Sequence, residues 1–184
     1  MIEPEMAFVD SDGNMTFQEE LVTAIVERAL ERCGSELEYL ERDVSKLENV
    51  RPPFPRVSYS EAVDRLREKG SEIEWGQDIG GADETLISED YDRPVFIYDY
   101  PRGVKAFYMK QHPEDPRLVR CDDLIAPEGY GEIIGGSQRE DDLDLLLSRI
   151  QEEGLPEEAY GWYLDLRRFG TFPHSGFGLG LERT

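Results

Sequence analysis

Along residues 21–30 the apolar positions fall three and four apart. Leu21, Ile25, Ala29 and Leu30, with Val22 and Val26 beside them, form one broad stripe. That spacing predicts an amphipathic helix, with Thr16 as N-cap and Glu19 three residues on as its capping-box partner, ending near Cys33-Gly34. A second helical stretch is expected from Ser35 toward Glu48. Residues 2 to 9 follow a different period: Ile2, Met6 and Phe8 alternate with Glu3, Glu5 and Ala7, which predicts a half-buried strand. Asp10 to Asn14 then reads as a turn. Beyond the extended connector Arg51-Pro52-Pro53-Phe54-Pro55, Ser58 to Glu61 opens a short helix that buries Ala62, Val63 and Leu66 and stops at Gly70. Another short helix is expected at Ala82 to Ser88.

Pro94 to Tyr100 and Val104 to Lys110 are β-rich runs on either side of Tyr100-Pro101-Arg102-Gly103, so they predict an antiparallel hairpin. Arg117 to Leu124 and Gly131 to Glu140 extend it to a meander. Asp141 to Glu153 reads as an amphipathic helix on Leu143, Leu146, Leu147 and Ile150. A further helix from Pro156 carries Tyr160, Trp162, Tyr163 and Leu166, and Gly170 closes it. In the last segment, strand geometry puts Gly176, Gly178 and Gly180 on one face and Phe177, Leu179 and Leu181 on the other. The elements together predict an α+β fold, an antiparallel β-sheet flanked by helices, in one domain over residues 1–184.

Charge narrows the partners. Twenty Lys and Arg against 41 Asp and Glu give −21, and the basic residues form no cluster, which argues against an indiscriminate grip on nucleic acid. The acids read as a solvated coat whose self-repulsion salt would screen. Cys33 and Cys121 match no zinc or redox spacing, and His112 and His174 are too few to complete a zinc site. The start lacks the basic and apolar regions of a signal peptide, and no run approaches transmembrane length, so a cytoplasmic protein with no membrane contact is expected.

The most informative stretch is Gly131 to Glu140. The isoleucines beside Glu132 suit a strand, whereas Gly135-Gly136 weaken one unless something approaches the backbone. Glu132 and Arg139, seven apart, point to opposite faces of a regular strand, and a glycine bulge would bring them to one face. An edge strand with solvated charges is the alternative. Likewise the bare face of Gly176, Gly178 and Gly180 would admit a flat ring, or simply another backbone. Glu3 and Glu5 would wall a polar pocket, or be solvated. Asp123 and Glu132 near an arginine such as Arg183 are the groups that magnesium-nucleotide chemistry uses, since Mg²⁺ takes carboxylate and phosphate oxygens. A substrate carboxylate attacking an α-phosphate would need positioning and charge neutralisation rather than a general base.

Gly131 to Glu140, Trp162 to Gly170 and Pro173 to Arg183, with Pro101 to Met109 before them, resemble the carboxyl-terminal part of the catalytic domain of class II asparaginyl-tRNA synthetases. Glu3-Pro4-Glu5-Met6-Ala7-Phe8 is similar to the second strand of that family's second signature motif, and Gly176 to Arg183 to its third. Lys105-Ala106-Phe107-Tyr108-Met109 and Gly135-Gly136-Ser137-Gln138-Arg139 favour the asparaginyl over the aspartyl and lysyl branches. The resemblance implies an incomplete class II catalytic domain, from the second half of motif 2 through motif 3, with motif 1 and the anticodon-binding domain absent. It implies an asparagine-tRNA ligase whose complete, homodimeric form activates L-asparagine with ATP and Mg²⁺ and charges tRNA(Asn), and a stretch inactive by itself. It further implies that Arg183 holds the ATP γ-phosphate and flanks the adenine, that Gly180, Leu181 and Glu182 line the nucleotide, and that Glu132 with Asp123 carries Mg²⁺. Arg139 would hold the asparagine side-chain carbonyl, and Glu3 and Glu5 would belong to the amino-acid pocket. An amide facing an arginine still needs an acceptor for its NH₂, for which Glu3 is a candidate. Two alternatives stand beside this reading: an asparagine synthetase related to the class II enzymes, and a non-catalytic module that binds an amino acid or nucleotide.

Overall fold

The structure is a computed structural model that describes residues 1–184. Its centre is a six-stranded sheet: β1 (Glu5–Ala7), β2 (Arg56–Ser58), β3 (Val95–Tyr98), β4 (Cys121–Ala126), β5 (Gly131–Gln138) and β6 (His174–Leu179), in the order β1-β6-β5-β4-β3-β2. Every pairing is antiparallel except β2 with β3. The sheet is therefore mixed at its β2 edge, where the connector after Pro55 adds a strand of three residues that the sequence pattern did not mark.

The helices are α1 (Ser11–Arg32), α2 (Gly34–Tyr39), α3 (Val44–Glu48), α4 (Tyr59–Glu68), α5 (Gly81–Ser88), α6 (Leu143–Glu152) and α7 (Gly161–Arg168). α1 starts earlier than expected because Asp10, not Thr16, is its cap, the carboxylate accepting from Gly13 N at 2.9 Å. Thr16 instead donates to the Asp12 carbonyl, and Glu19 accepts from the Phe54 amide. The stretch after Cys33 breaks into α2 and α3 around Glu41, whose φ is +53°. The short helix expected from Ser58 does form, and the capping box expected at Thr16 and Glu19 is found here instead, between Ser58 and Glu61, where it closes the first turn.

Two cores lie on opposite faces of the sheet. On one, α1 buries Met15, Val22 and Val26 against Phe96, Leu124, Ile134, Phe177 and Leu179. On the other, α4 and α5 bring Tyr59, Ala62, Val63, Leu66 and Ile87 against Val57, Val95, Ile97 and Ile125. No residue of β1, β5 or β6 joins this second cluster, so the sheet is left open there. α6 and α7 wall one end of the open part through Leu146, Ile150 and Leu164.

The expected hairpin does not form. β3 has β4 on one side and β2 on the other, and Val104 to Lys110 is irregular, tied by a bridge from Met109 to Arg139, with another from Gln111 to Val119 just after it. Its aromatics pack on helical partners instead, Phe107 lying 4.9 Å from the Tyr160 ring. At the amino terminus Phe8 leaves strand geometry with φ +61° and is exposed, so only Met6 of the predicted apolar face stays partly covered within β1, which is shorter than its alternation suggested.

Candidate active site

Register decides which side chains meet on the open face. Gly135 pairs with Gly178 and Ser137 with Gly176 across β5 and β6, while Gly176 faces Glu5 and Gly135 faces Asp123. By alternation these residues share one surface, and Asp122, Gly136 and Phe177 share the other. Glu132 reaches the open surface through a bulge: Leu124 pairs with Ile134 but Ile125 with Glu132, which leaves Ile133 as the extra residue. One extra residue puts Glu132 and Arg139 on the same side, as expected, although isoleucine rather than glycine supplies it.

A Cβ placed on Gly135 would lie 2.7 Å from Glu132 Oε1 and 3.7 Å from Asp123 Oδ1. The two carboxylates thus converge over a position that has room for no side chain. Lys105 Nζ donates to Asp123 Oδ2 at 2.6 Å and sits 4.0 Å from the centre of the Tyr100 ring. Burial disfavours the charge on Lys105, but Asp123 holds its pKa above the ordinary lysine value. Burial pushes the Glu132 carboxyl up to about 7, and the Asp123 charge pushes the same way. Asp123 shares its charge with Lys105 while Glu132 makes no ion pair, and the hard oxygens of both carboxylates are of the kind that fits a Mg²⁺ ion.

The shift has a sign that can be measured. In the metal-free fold an acid held more tightly than in the unfolded chain stabilises the fold below its ordinary value of 4.5, and that contribution is lost as pH rises through about 7. A metal bound there would run the other way, because it would have to displace the Glu132 proton. Mg²⁺ affinity is expected to rise from about pH 6 to about pH 8 with release of a proton. Calorimetry in buffers of different ionisation enthalpy reads both, and a flat affinity without proton release contradicts the expectation.

At the other end of the open surface Arg139 is gripped by Glu5, with Nη2 to Oε1 at 2.6 Å and Nε to Oε1 at 3.0 Å. Its Nη1 meets Ser137 Oγ at 2.5 Å, and the guanidinium lies 5.1 Å from the Tyr108 ring centre. A Cβ on Gly176 would overlap the Glu5 carboxylate and come within 2.7 Å of Arg139 Nη2. A cleft of about 370 Å³ opens beside the pair, with Tyr163, Phe172 and His174 among its walls. The register continued from Glu5 sets Glu3 opposite Gly178, where it is exposed and makes no ion pair.

Arg183 lies at the Glu132 end. Its Nη1 donates to the Glu132 carbonyl at 2.8 Å, and Gly180 N donates to Ile133 O at 3.0 Å. β6 stops at Leu179 and a turn follows, so Leu181 is exposed rather than packed on a helix with Phe177 and Leu179, and Glu182 is exposed beside it. Arg183 itself therefore sits in a turn. Lys105, Tyr108 and Ser137 were visible in the sequence only as parts of motifs, and their roles at the site come from their contacts. Glu84 carries no signal in the sequence beyond being an acid in the first turn of a helix.

The family model for tRNA synthetases class II (D, K and N) matches residues 1–184. The chain belongs to this family. An asparagine--tRNA ligase of Desulforamulus reducens is 61% identical over 184 residues, which are 100% of this chain and 43% of that protein. One from Pyrococcus horikoshii is 56% identical over 99% of this chain and 42% of its own length. Among solved class II synthetases, the asparaginyl-tRNA synthetase from Pyrococcus horikoshii complexed with asparaginyl-adenylate superposes with a TM-score of 0.96 at 56% identity, covering 98% of this chain and 42% of that one. An aspartyl tRNA synthetase from Entamoeba histolytica gives 0.84 at 28% identity, covering 98% of this chain and 38% of that one. The chain spans less than half the length of these class II relatives. No helix is long and apolar enough to cross a membrane.

Proposed function

We propose that this chain is the part of an asparagine-tRNA ligase that binds asparagine, ATP and Mg²⁺, and that the whole protein forms asparaginyl-adenylate and passes it to tRNA(Asn). The observation that carries the reading is one bare glycine surface with an arginine-glutamate pair at one end and two convergent carboxylates at the other. Gly135 and Ser137 mark the two ends, two residues or roughly 7 Å apart along the strand. That spacing suits an amino-acid side chain at Arg139 and an α-phosphate near Glu132.

Arg139 is already neutralised by Glu5, and this favours an amide over a second carboxylate. The asparagine carbonyl accepts from Arg139, while the NH₂ donates to Glu5, the acceptor role for which Glu3 lies too far along the strand. An aspartate carboxylate would meet the Glu5 charge instead. Gly178 and Gly180 leave space for the nucleotide, and Arg183 borders the end where the triphosphate would lie. Asp123 and Glu132 would hold Mg²⁺, which neutralises phosphate charge when bound. The α-carboxylate of asparagine attacks the α-phosphorus, the bond to the bridging oxygen breaks, and pyrophosphate leaves; no side chain has to take a proton. Positioning of the two ends supplies the rate. A homodimeric whole protein and a cytoplasmic location accompany this reading.

Calorimetry on the 184-residue chain tests it with asparagine, aspartate and ATP with Mg²⁺. Binding of asparagine in preference to aspartate, together with metal-dependent binding of ATP, is the expected result. Preference for aspartate would favour the related asparagine synthetase, and binding of neither amino acid would sink the proposal. The relatives above lend that alternative and the non-catalytic module no support.

A further inference from the structure

Glu84 is a carboxylate with no cation. It lies in α5, half-buried, and forms no ion pair, yet it is turned toward Glu132 of β5, whose carboxylate already faces that of Asp123 on β4. What it does hold is the backbone: Glu84 Oε2 accepts from the Glu132 amide at 3.0 Å. The preceding residue is shaped to allow this. Gly131 has φ +76°, and a Cβ there would lie 2.7 Å from the same Glu84 oxygen. The bond falls at the residue just before the bulged Ile133, where the register of β4 on β5 shifts between Leu124 and Ile125.

We propose that Glu84 is a positioning residue, which by accepting the Glu132 amide proton fixes the entry to β5 and so holds the Glu132 carboxylate on the open face beside Asp123. Without that acceptor the amide is free to seek a partner by removing the bulge. A one-residue slip would turn Glu132 to the α1 face, since side chains alternate. The cost of an added like charge next to Asp123 and Glu132 is then offset by the orientation it imposes. This goes beyond assigning Glu132 to Mg²⁺ and rests on that assignment only for its consequence, not for its geometry.

Two variants separate the hydrogen bond from the charge. Glu84→Gln keeps an acceptor oxygen and removes the charge, and Glu84→Ala removes both. Hydrogen exchange of the Glu132 amide, followed by NMR on the 184-residue chain, reads the geometry with no ligand present. Exchange is expected to stay slow in the wild type and in Glu84→Gln, and to accelerate at least tenfold in Glu84→Ala. ATP affinity measured with Mn²⁺ and again with chelator reads the consequence. Glu84→Ala should lose on the order of tenfold or more of the metal-dependent affinity, while the metal-free affinity stays within about twofold. Glu84→Gln should retain both. A merely structural role would weaken both arms alike. Equal exchange in all three proteins, or an equal loss in Gln and Ala variants, would overturn the proposal. If wild-type ATP binding shows no metal dependence, the functional reading fails, and the exchange result alone decides the positioning role.

Discussion

Gly176→Ala is expected to leave the chain folded and to lower its affinity for asparagine by about 100-fold or more. The new Cβ would occupy the place of the Glu5 carboxylate and reach within 2.7 Å of Arg139 Nη2. Both obstacles are ends of flexible side chains, so the strand survives and the pair moves. What is lost is the geometry in which one group donates to an amide carbonyl and the other accepts from its NH₂. Charge-assisted hydrogen bonds are worth about 1.5–3 kcal/mol each, and losing two amounts to roughly 3 kcal/mol at the least. That is on the order of 150-fold in affinity. Calorimetry with asparagine checks the value alongside a thermal melt. Affinity within threefold of wild type would show that the Glu5–Arg139 arrangement is not the amino-acid site.

Gly136→Ala should act on stability instead. Gly136 faces α1, and a Cβ there would lie 2.6 Å from Gln18 Nε2, 2.8 Å from Asn14 Nδ2 and 2.9 Å from Asp122 Oδ2. These two amides are the donors that reach the fully buried Asp122 carboxylate, Gln18 at 2.6 Å and Asn14 at 3.4 Å. Burial pushes the Asp122 carboxyl up to about 7, and the hydrogen bond from Gln18 works against it. Wedging the three groups apart adds overpacking to the cost of an unpaired buried acid, on the order of 3 kcal/mol together. For a chain of this size that lowers Tm by roughly 6–12 °C. A melting temperature within about 2 °C of wild type would mean that the layer beneath β5 yields more readily than its contacts imply.

The contrast between these two glycines explains how much could be read beforehand. The alternation of glycine with Phe177 and Leu179 contains its own register, so β6 and the bare face were legible from period alone, as were the strand from Gly131 and the helix from Ser58. The bulge was foreseen as a need, because Glu132 and Arg139 are an odd number apart, but nothing local marks Ile133 as the residue that supplies it. The three-residue strand at Arg56 is too short to show a period. Val104 to Lys110 has strand composition, yet its aromatics are taken by Tyr160 and its neighbours, fifty residues later in the chain. Asn14 and Gln18 sit four apart on the buried face of α1, ahead of its apolar stripe and among other polar residues, so nothing local marks them until Asp122 is known to face them. Alternation puts Leu181 on the face of Phe177 and Leu179, but alternation holds only as far as the strand, which ends at Leu179.

Pairing of acid and base across strands leaves no mark in the local sequence. Glu3 and Glu5 are equivalent in alternation, and only the pairing of β1 with β6 gives Glu5 the arginine. Glu84 acts through a backbone amide 48 residues away, a contact with no trace in local sequence.

The central claim is that a single adenylate spans the open face from Glu5 and Arg139 to Asp123 and Glu132. A crystal structure of the chain with a non-hydrolysable asparaginyl-adenylate analogue and Mg²⁺ tests it most directly. The side-chain amide is predicted to lie within hydrogen-bond distance of Glu5 and Arg139, with the sugar over Gly178 and the metal on the two carboxylates. Density for the analogue anywhere else, such as the groove on the α1 side between Val22 and Arg183, with the Glu5–Arg139 pair undisturbed, would contradict the account.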